Sequence, residues 1–147
     1  MSAPNVAGAT TLVSQYFIEK KYRSSISIKP SYSLLRSVLI NVADHLDIEK
    51  VFPNTKTGFC SLNLGKYILT SVSKEGNDEK VLVADHIEVI GDNHYVAFVD
   101  VEDTKTDLRI TISYLDEVLN VDSSSALIID LDLVVVGPDE DVYRSNQ

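Results

Sequence analysis

The stretch SYSLLRSVLINVADHL, residues 31–46, carries the clearest secondary-structure signal of the chain. Its large apolar residues recur at helical spacing and form one stripe. The stripe consists of Leu34, Leu35, Val38, Leu39, Val42 and Leu46. Ser31 or Ser33 can cap the N-terminus, and Pro53 stops the pattern. The stretch therefore predicts an amphipathic helix with one buried face.

A second amphipathic helix is predicted upstream, from Thr10 to about Arg23. Its apolar face consists of Leu12, Val13, Tyr16 and Phe17. The small and polar residues 1–9 before it are expected to form a flexible arm. Between the helices, residues 24–29 alternate and predict a short strand that ends before Pro30.

After Gly58 the apolar spacing changes from helical to alternating, which is typical of strands. Strands are predicted over residues 59–64, 66–72, 81–90, 95–101, 108–113 and 127–135. Most of the turns between them are short, and turns this short can join only antiparallel neighbours. This half of the chain therefore predicts an antiparallel meander.

The predicted strand 108–113 is expected to bury its apolar residues, with Arg109 and Thr111 on the wet face. Ser113 and Asp116 fit the S-x-x-D start of a short helix before the last strand.

In the last strand, Leu131 and its alternate neighbours are expected to face the core, while Asp130 and Asp132 face solvent. Gly137 and Pro138 end the strand, and residues 139–147 are expected to be an acidic tail.

The resulting prediction is one α+β domain of 147 residues, with two N-terminal helices packed on one face of a mainly antiparallel sheet. Cys60 is the only cysteine, which excludes an intrachain disulfide and suits a reducing compartment. The first eighteen residues lack the basic and apolar regions of a secretory signal. We therefore expect a soluble, cytoplasmic protein without a membrane partner.

Charge is divided unevenly along the chain. Residues 1–70 contain eight basic and four acidic residues, whereas residues 71–147 contain five basic and eighteen acidic residues. The two halves thus carry net charges of +4 and −13, within a total of −9. Such an imbalance affects association more than topology.

Catalytic and cofactor motifs are absent from the sequence. The scattered glycines form neither a Walker A loop nor G-x-G-x-x-G, and G-x-S-x-G and H-E-x-x-H do not occur. His86 and Glu88 have the H-x-E form of zinc deaminases, but the P-C-x-x-C that completes that zinc site is missing. His45 is better explained as a favourable charge near a helix C-terminus. We predict no catalytic residue, cofactor or metal.

Acidic residues form the remaining candidate site. Three pairs of residues at i, i+2 spacing are predicted on strand faces opposite the apolar residues. The pairs are His86 with Glu88, Asp100 with Glu102, and Asp130 with Asp132. If these strands are neighbours, the five carboxylates share one surface. A small basic cluster, Lys20, Lys21 and Arg23, lies in the other half.

The function predicted from this pattern is a non-catalytic interaction or assembly module. Its acidic sheet face would bind a basic protein or the basic end of another copy, head to tail. The first alternative is an acidic inhibitor that mimics nucleic acid. Alternate residues of a strand are about 6.6 Å apart, which is comparable with the spacing of phosphates along a nucleic-acid strand. The second is a nuclease or hydrolase that holds Mg²⁺ or Mn²⁺ through these acids. The acids can also simply solvate an open sheet face. Direct nucleic-acid binding is disfavoured by the negative charge.

Overall fold

The computed structural model describes residues 2–19, 27–44, 53, 55–59, 61–67, 82–91, 93–101, 107–118 and 127–145. In chain order, the regular elements are α1 (Ser2–Ile18), α2 (Tyr32–Asn41), β1 (Ala43–Asp44), β2 (Ser61–Leu62), α3 (Leu64–Tyr67), β3 (Val134–Val136) and β4 (Val142–Arg144). The chain is therefore α+β, as predicted. It divides into two compact units, Met1–Ser113 and Tyr114–Gln147. The prediction of a single domain stays a prediction.

Helix α1 begins at Ser2, so residues 2–9 are helical and do not form the predicted arm. The alanines in this stretch are the best helix formers, although only Ala9 is buried. Helix α1 ends at Ile18, where the chain turns back: Ile28 N donates to Phe17 O and Ser27 Oγ donates to Ile18 O. These bonds satisfy carbonyls that the helix end leaves free. Residues 27–28 make these bonds and are not part of a strand. Residues 24–26 of the predicted strand lie outside the described residues.

Helix α2 confirms the strongest prediction from the sequence. Ser31 is its N-cap, and the Ser31 side chain accepts a hydrogen bond from Leu34 N at 3.0 Å. The helix ends at Asn41 rather than continuing to Leu46, which lies outside the described residues. The chain leaves the helix because Ala43 and Asp44 pair with β2.

The core of the first unit is the contact between α1 and α2. Its buried residues are Val13, Tyr16, Phe17, Leu34, Val38 and Val42. Phe17 is 1 % exposed and meets Tyr16 edge to face, with ring centroids 5.4 Å apart. Each large apolar side chain buried here contributes about 1.5–3 kcal/mol. Leu62 and Val83 pack against the edge of this core, so β2 and the segment after residue 81 lie beside the helices.

The segments that predicted the meander do not form a regular sheet among the described residues. Residues 82–90, 93–101 and 107–113 form no ladder with any other segment that the structure describes. The antiparallel pairs among the described residues are the two short sheets β1–β2 and β3–β4. Strand β2 lies within the predicted strand 59–64, and β3 overlaps the predicted strand 127–135. Alternation in a sequence specifies which residues can share a face, but it does not specify a partner strand.

Residues 108–113 also face the opposite way from the prediction. Leu108, Ile110 and Ile112 are exposed, whereas Arg109 and Thr111 are half-buried. Hydrogen bonds to the end of α2 explain this orientation. Asn41 Nδ2 donates to Arg109 O at 3.1 Å and to Thr111 Oγ1 at 3.0 Å. The segment turns its polar side toward the end of α2 because carbonyls and an amide there need partners.

The second unit confirms one predicted pattern and corrects two. Residues 129, 131, 133 and 135 are half-buried while Asp130 and Asp132 are exposed, as predicted, but Leu127, which was predicted to share the inward face, is exposed. Residues 114–118 are not helical, because the Asp116 carboxylate bonds residues 128 and 129 instead of starting a helix. The expected acidic tail contains β4, which pairs antiparallel with β3.

The β3–β4 hairpin turns through residues 137–141. Gly137 N donates to Asp141 O at 2.8 Å, and Glu140 N donates to Gly137 O at 3.1 Å. Glu140 has φ +65°, the left-handed conformation that follows a tight turn in hairpins of this length. Glycine adopts this conformation most easily, so the turn holds Glu140 under strain.

Candidate functional site

Four of the five acids of the predicted surface are exposed, two in each unit. Glu88 and Asp100 are exposed in the first unit, and Asp130 and Asp132 are exposed in the second. Glu102 and the basic cluster of Lys20, Lys21 and Arg23 lie outside the described residues. The structure therefore places four of the five predicted acids in contact with solvent. Their union into one surface stays a prediction.

Large, exposed apolar residues are the sequence neighbours of Glu88 and Asp100. All described residues from His86 to Val101 are exposed. The exposed fractions of the large apolar residues among them are 48 % for Ile87, 36 % for Val89, 70 % for Ile90, 54 % for Tyr95, 58 % for Val96, 96 % for Phe98, 47 % for Val99 and 52 % for Val101. The core formed by α1 and α2 does not use these side chains. Dense exposed apolar surface of this kind is typical of interaction sites.

The half-buried carboxylate of Asp85 lies at the N-terminus of α2, close in sequence to this surface. It accepts hydrogen bonds from Ser31 N at 2.9 Å, Ser31 Oγ at 2.6 Å and His86 N at 2.9 Å. Desolvation opposes ionisation, but these bonds and the charge of His86 outweigh it and lower the pKa of Asp85 below its ordinary value. A carboxylate at a helix N-terminus also interacts favourably with the helix dipole.

Ser31, Asp85 and His86 include the residue types of a catalytic triad, but their geometry is that of a helix cap. The Ser31 hydroxyl donates to Asp85 and accepts from Leu34 N, so it is engaged on both sides. His86 Nε2 is 3.6 Å from Asp85 Oδ2, and the imidazole is mostly exposed. A nucleophile requires a hydrogen bond to its base, whereas this hydroxyl bonds the carboxylate. The cluster fixes the start of α2.

Arg109 holds the opposite end of the same helix. Its Nη1 donates to Ala43 O at 2.6 Å and reaches Asn41 O at 3.5 Å. Asn41 is the last residue of α2 and Ala43 follows it closely, so both carbonyls lie at the helix C-terminus, where a positive charge is favourable. Helix α2 therefore has a carboxylate at its positive end and a guanidinium at its negative end, both supplied by later segments.

Asp116 organises the second unit in a similar way. Its carboxylate accepts from Ile128 N and Ile129 N, each at 3.0 Å, and from Glu117 N at 2.8 Å. The bond from Ile128, with those from Ile129 and Glu117, outweighs desolvation and lowers the pKa of Asp116. Tyr114 OH donates to Ile129 O at 2.8 Å. Tyr114 and Asp116 therefore both bond the backbone of residues 128–129.

Sequence reasoning missed Asp85 and Arg109 and misassigned Asp116. Asp85 occupies the half-buried position two residues after Val83, at which a charge is unusual. Arg109 alternates with apolar residues, so the pattern placed it in solvent. The helix dipole offered a usable signal, because a predicted helix favours a negative group at its N-terminus and a positive group at its C-terminus.

In the part of the chain that the structure describes, no group of three or more His, Cys, Asp or Glu residues could hold a metal ion. The described helices also include none with the length and apolar character needed to cross a membrane.

Comparison with known proteins gives one curated relative at low identity. Over 143 residues, the chain is 29 % identical to the serine protease/ABC transporter B family protein tagA of Dictyostelium discoideum. The alignment covers 92 % of this chain and 8 % of the relative, so the chain spans a small part of that protein's length. No family model matches the chain. No solved structure matches it either.

Proposed function

We propose that this chain is a non-catalytic protein-interaction or assembly module. Each unit presents its own pair of exposed acids for binding, Glu88 and Asp100 in the first unit and Asp130 and Asp132 in the second. Its partner is a protein with a basic surface or another copy of the chain. The observation that carries the proposal is the exposure of every described residue between His86 and Val101, a segment in which Glu88 and Asp100 are accompanied by many large apolar side chains.

The mixture of acids and apolar groups supports protein binding. Apolar side chains supply the buried centre of an interface, and charges around them select a complementary partner and raise the association rate. Phe98 is almost fully exposed, and aromatic residues are enriched among those that dominate binding energy. An acidic surface on its own requires only solvation, whereas exposed aromatic and β-branched residues beside it favour a partner.

The polar clusters of the described residues favour a scaffold over an enzyme. Asp85, Arg109 and Asp116 each bond the backbone of a neighbouring segment. The relative is named for protease and transporter activities, and the chain matches only 8 % of its length. A match of that extent favours an accessory module.

Neutralising the acidic surface tests the proposal. The face variant carries Glu88→Gln, Asp100→Asn, Asp130→Asn and Asp132→Asn. A control variant removes the same charge elsewhere, through Asp107→Asn, Glu117→Gln, Asp139→Asn and Glu140→Gln. We expect the wild-type chain and the control to retain basic proteins from a lysate at low salt and release them at high salt, because exposed charges are screened. The face variant should lose these proteins.

Other outcomes would contradict the proposal. If the wild type, the control and the face variant retained basic proteins equally, or if only neutral and acidic proteins were recovered, the exposed acids would not contribute to binding. Displacement of the partner by added nucleic acid would favour the mimic. Saturable stabilisation by Mn²⁺ that the face variant lacks would favour the metal hydrolase. That stabilisation is about 2.7 kcal/mol at a hundredfold excess over the dissociation constant.

A further inference from the structure

The segment HYVAFVD, residues 94–100, contains the most exposed aromatic residue of the described chain, Phe98. Its valines and aromatic residues favour a strand. All seven residues are exposed, and the structure places none of them in a ladder with another described segment. Residues 94–100 thus have the composition of a strand and a set of backbone donors and acceptors that no other described segment pairs with, which is the basis of strand addition.

The segment is complementary to itself when it runs antiparallel. With Ala97 opposite Ala97 of a second copy, His94 lies opposite Asp100, Tyr95 opposite Val99, and Val96 opposite Phe98. Aromatic residues paired with β-branched residues, and groups of opposite charge, are the favourable cross-strand pairs. A shift of one residue in either direction places Asp100 opposite Tyr95 or Asn93. A hydrogen bond from the His94 imidazole to the Asp100 carboxylate, which is possible only with these two residues opposite each other, therefore selects the central register.

We propose that two copies of this chain pair antiparallel through residues 94–100, with His94 of each copy opposite Asp100 of the other. The inference rests on the proposed function and specifies its partner as a second copy. The contact is isologous and closes as a dimer, unlike the head-to-tail contact that the charge of the two halves predicts. One face of the shared ladder carries His94, Val96, Phe98 and Asp100, and the opposite face carries Tyr95, Ala97 and Val99.

Charge exchange tests the register. Sedimentation of the full chain over a range of concentrations should give a monomer–dimer equilibrium. His94→Asp places two carboxylates opposite each other twice per dimer and should raise the dimer Kd by about tenfold or more. Asp100→His should also weaken the dimer. The double variant His94→Asp, Asp100→His restores an imidazole opposite each carboxylate and should return the Kd to within about threefold of wild type. Asp139→His, with the same charge change in the hairpin turn, should leave the Kd unchanged.

Cross-linking tests the same register without relying on charge. The two-fold axis passes beside Ala97, so the two Cβ atoms should lie about 4.5–5.5 Å apart. In a Cys60→Ser background, Ala97→Cys should form a disulfide-linked dimer under mild oxidation. Val89→Cys, which is exposed outside the segment, serves as the control and should cross-link far less. Circular dichroism checks that every variant is folded.

The outcomes separate this inference from the proposed function. Failure of the charge exchange to restore the dimer, or equal cross-linking at positions 89 and 97, would overturn the pairing. A chain that stays monomeric at all concentrations and still retains basic proteins through its acidic surface would also overturn it, while the proposed function would stand. A dimer with the expected register that binds no basic partner would support both the pairing and an assembly role.

Discussion

The carboxylate of Asp85 accepts two hydrogen bonds from Ser31, 2.9 Å from the backbone nitrogen and 2.6 Å from the hydroxyl, across 54 residues of sequence. The same hydroxyl accepts from Leu34 N, so the carboxylate orients the group that caps α2. This relationship joins the helical core to the segment that precedes the exposed apolar surface. It leads to the first two predictions.

Removal of the Asp85 carboxylate should destabilise the chain. Asp85→Ala leaves Ser31 N–H without its partner and frees the capping hydroxyl to rotate, which costs about 1–3 kcal/mol. The free energy of unfolding in urea measures the loss. Glu88→Gln, at an exposed acid nearby, should change stability by less than about 0.5 kcal/mol. Equal effects of the two variants would show that the cap does not contribute.

Acid should weaken the cap. Because the folded state lowers the pKa of Asp85, its ionised form stabilises the fold above the unfolded pKa of about 3.9. That contribution is lost as pH falls through the lower, folded pKa. The stability difference between wild type and Asp85→Asn should therefore be largest near neutral pH and should shrink below about pH 4. Ser31→Ala should flatten the same profile, and an unchanged profile in Ser31→Ala would contradict the assignment.

Arg109 should stabilise the C-terminal end of α2 more than an ordinary surface arginine does. Arg109→Ala removes the donor to Ala43 O and should cost about 1.5–3 kcal/mol, the range for hydrogen bonds to charged groups. Arg36, exposed on α2, provides the control, and Arg36→Ala should cost less than about 0.5 kcal/mol. Thermal denaturation compares the two. A small effect at Arg109 would show that solvent can replace its bonds to the helix end.

The hairpin turn should be improved by glycine. Glu140 has φ +65°, and a non-glycine residue in this conformation costs about 1 kcal/mol or more, so Glu140→Gly should stabilise the second unit. Asp139→Gly adds flexibility where no positive φ is needed and should destabilise it by about 0.5–1 kcal/mol. Hydrogen exchange of the β3 and β4 amides follows the hairpin directly. Faster exchange in Glu140→Gly would contradict the strain argument.

The sequence predicted those features that depend on local spacing. Ser31 as a cap, the stripe through Leu34 and Val38, and the alternation around Asp130 and Asp132 follow from the periodicity of a helix or strand. The early start of α1 was missed because its first turns bury only Ala9, so they carry no apolar periodicity.

The features that the sequence did not predict depend on distant partners. Alternation over residues 108–113 was assigned to the wrong face, because the polar end of α2 attracts Arg109 and Thr111 more strongly than the core attracts their apolar neighbours. Asp116 has the spacing of a helix start, yet backbone groups twelve and thirteen residues later bind its carboxylate. For the acidic surface, exposure of four carboxylates was predicted correctly, and their shared function stays a prediction.

The clamping of α2 at both ends implies an order of events during synthesis on the ribosome. The helix leaves the exit tunnel well before its two partners, since Asp85 follows Ser31 by 54 residues and Arg109 follows Asn41 by 68. A ten-residue helix is marginal in water on its own. The nascent helix therefore gains its full stability only after residue 109 emerges. Any chain that terminates earlier carries an incompletely capped helix and is a preferred target for proteolysis.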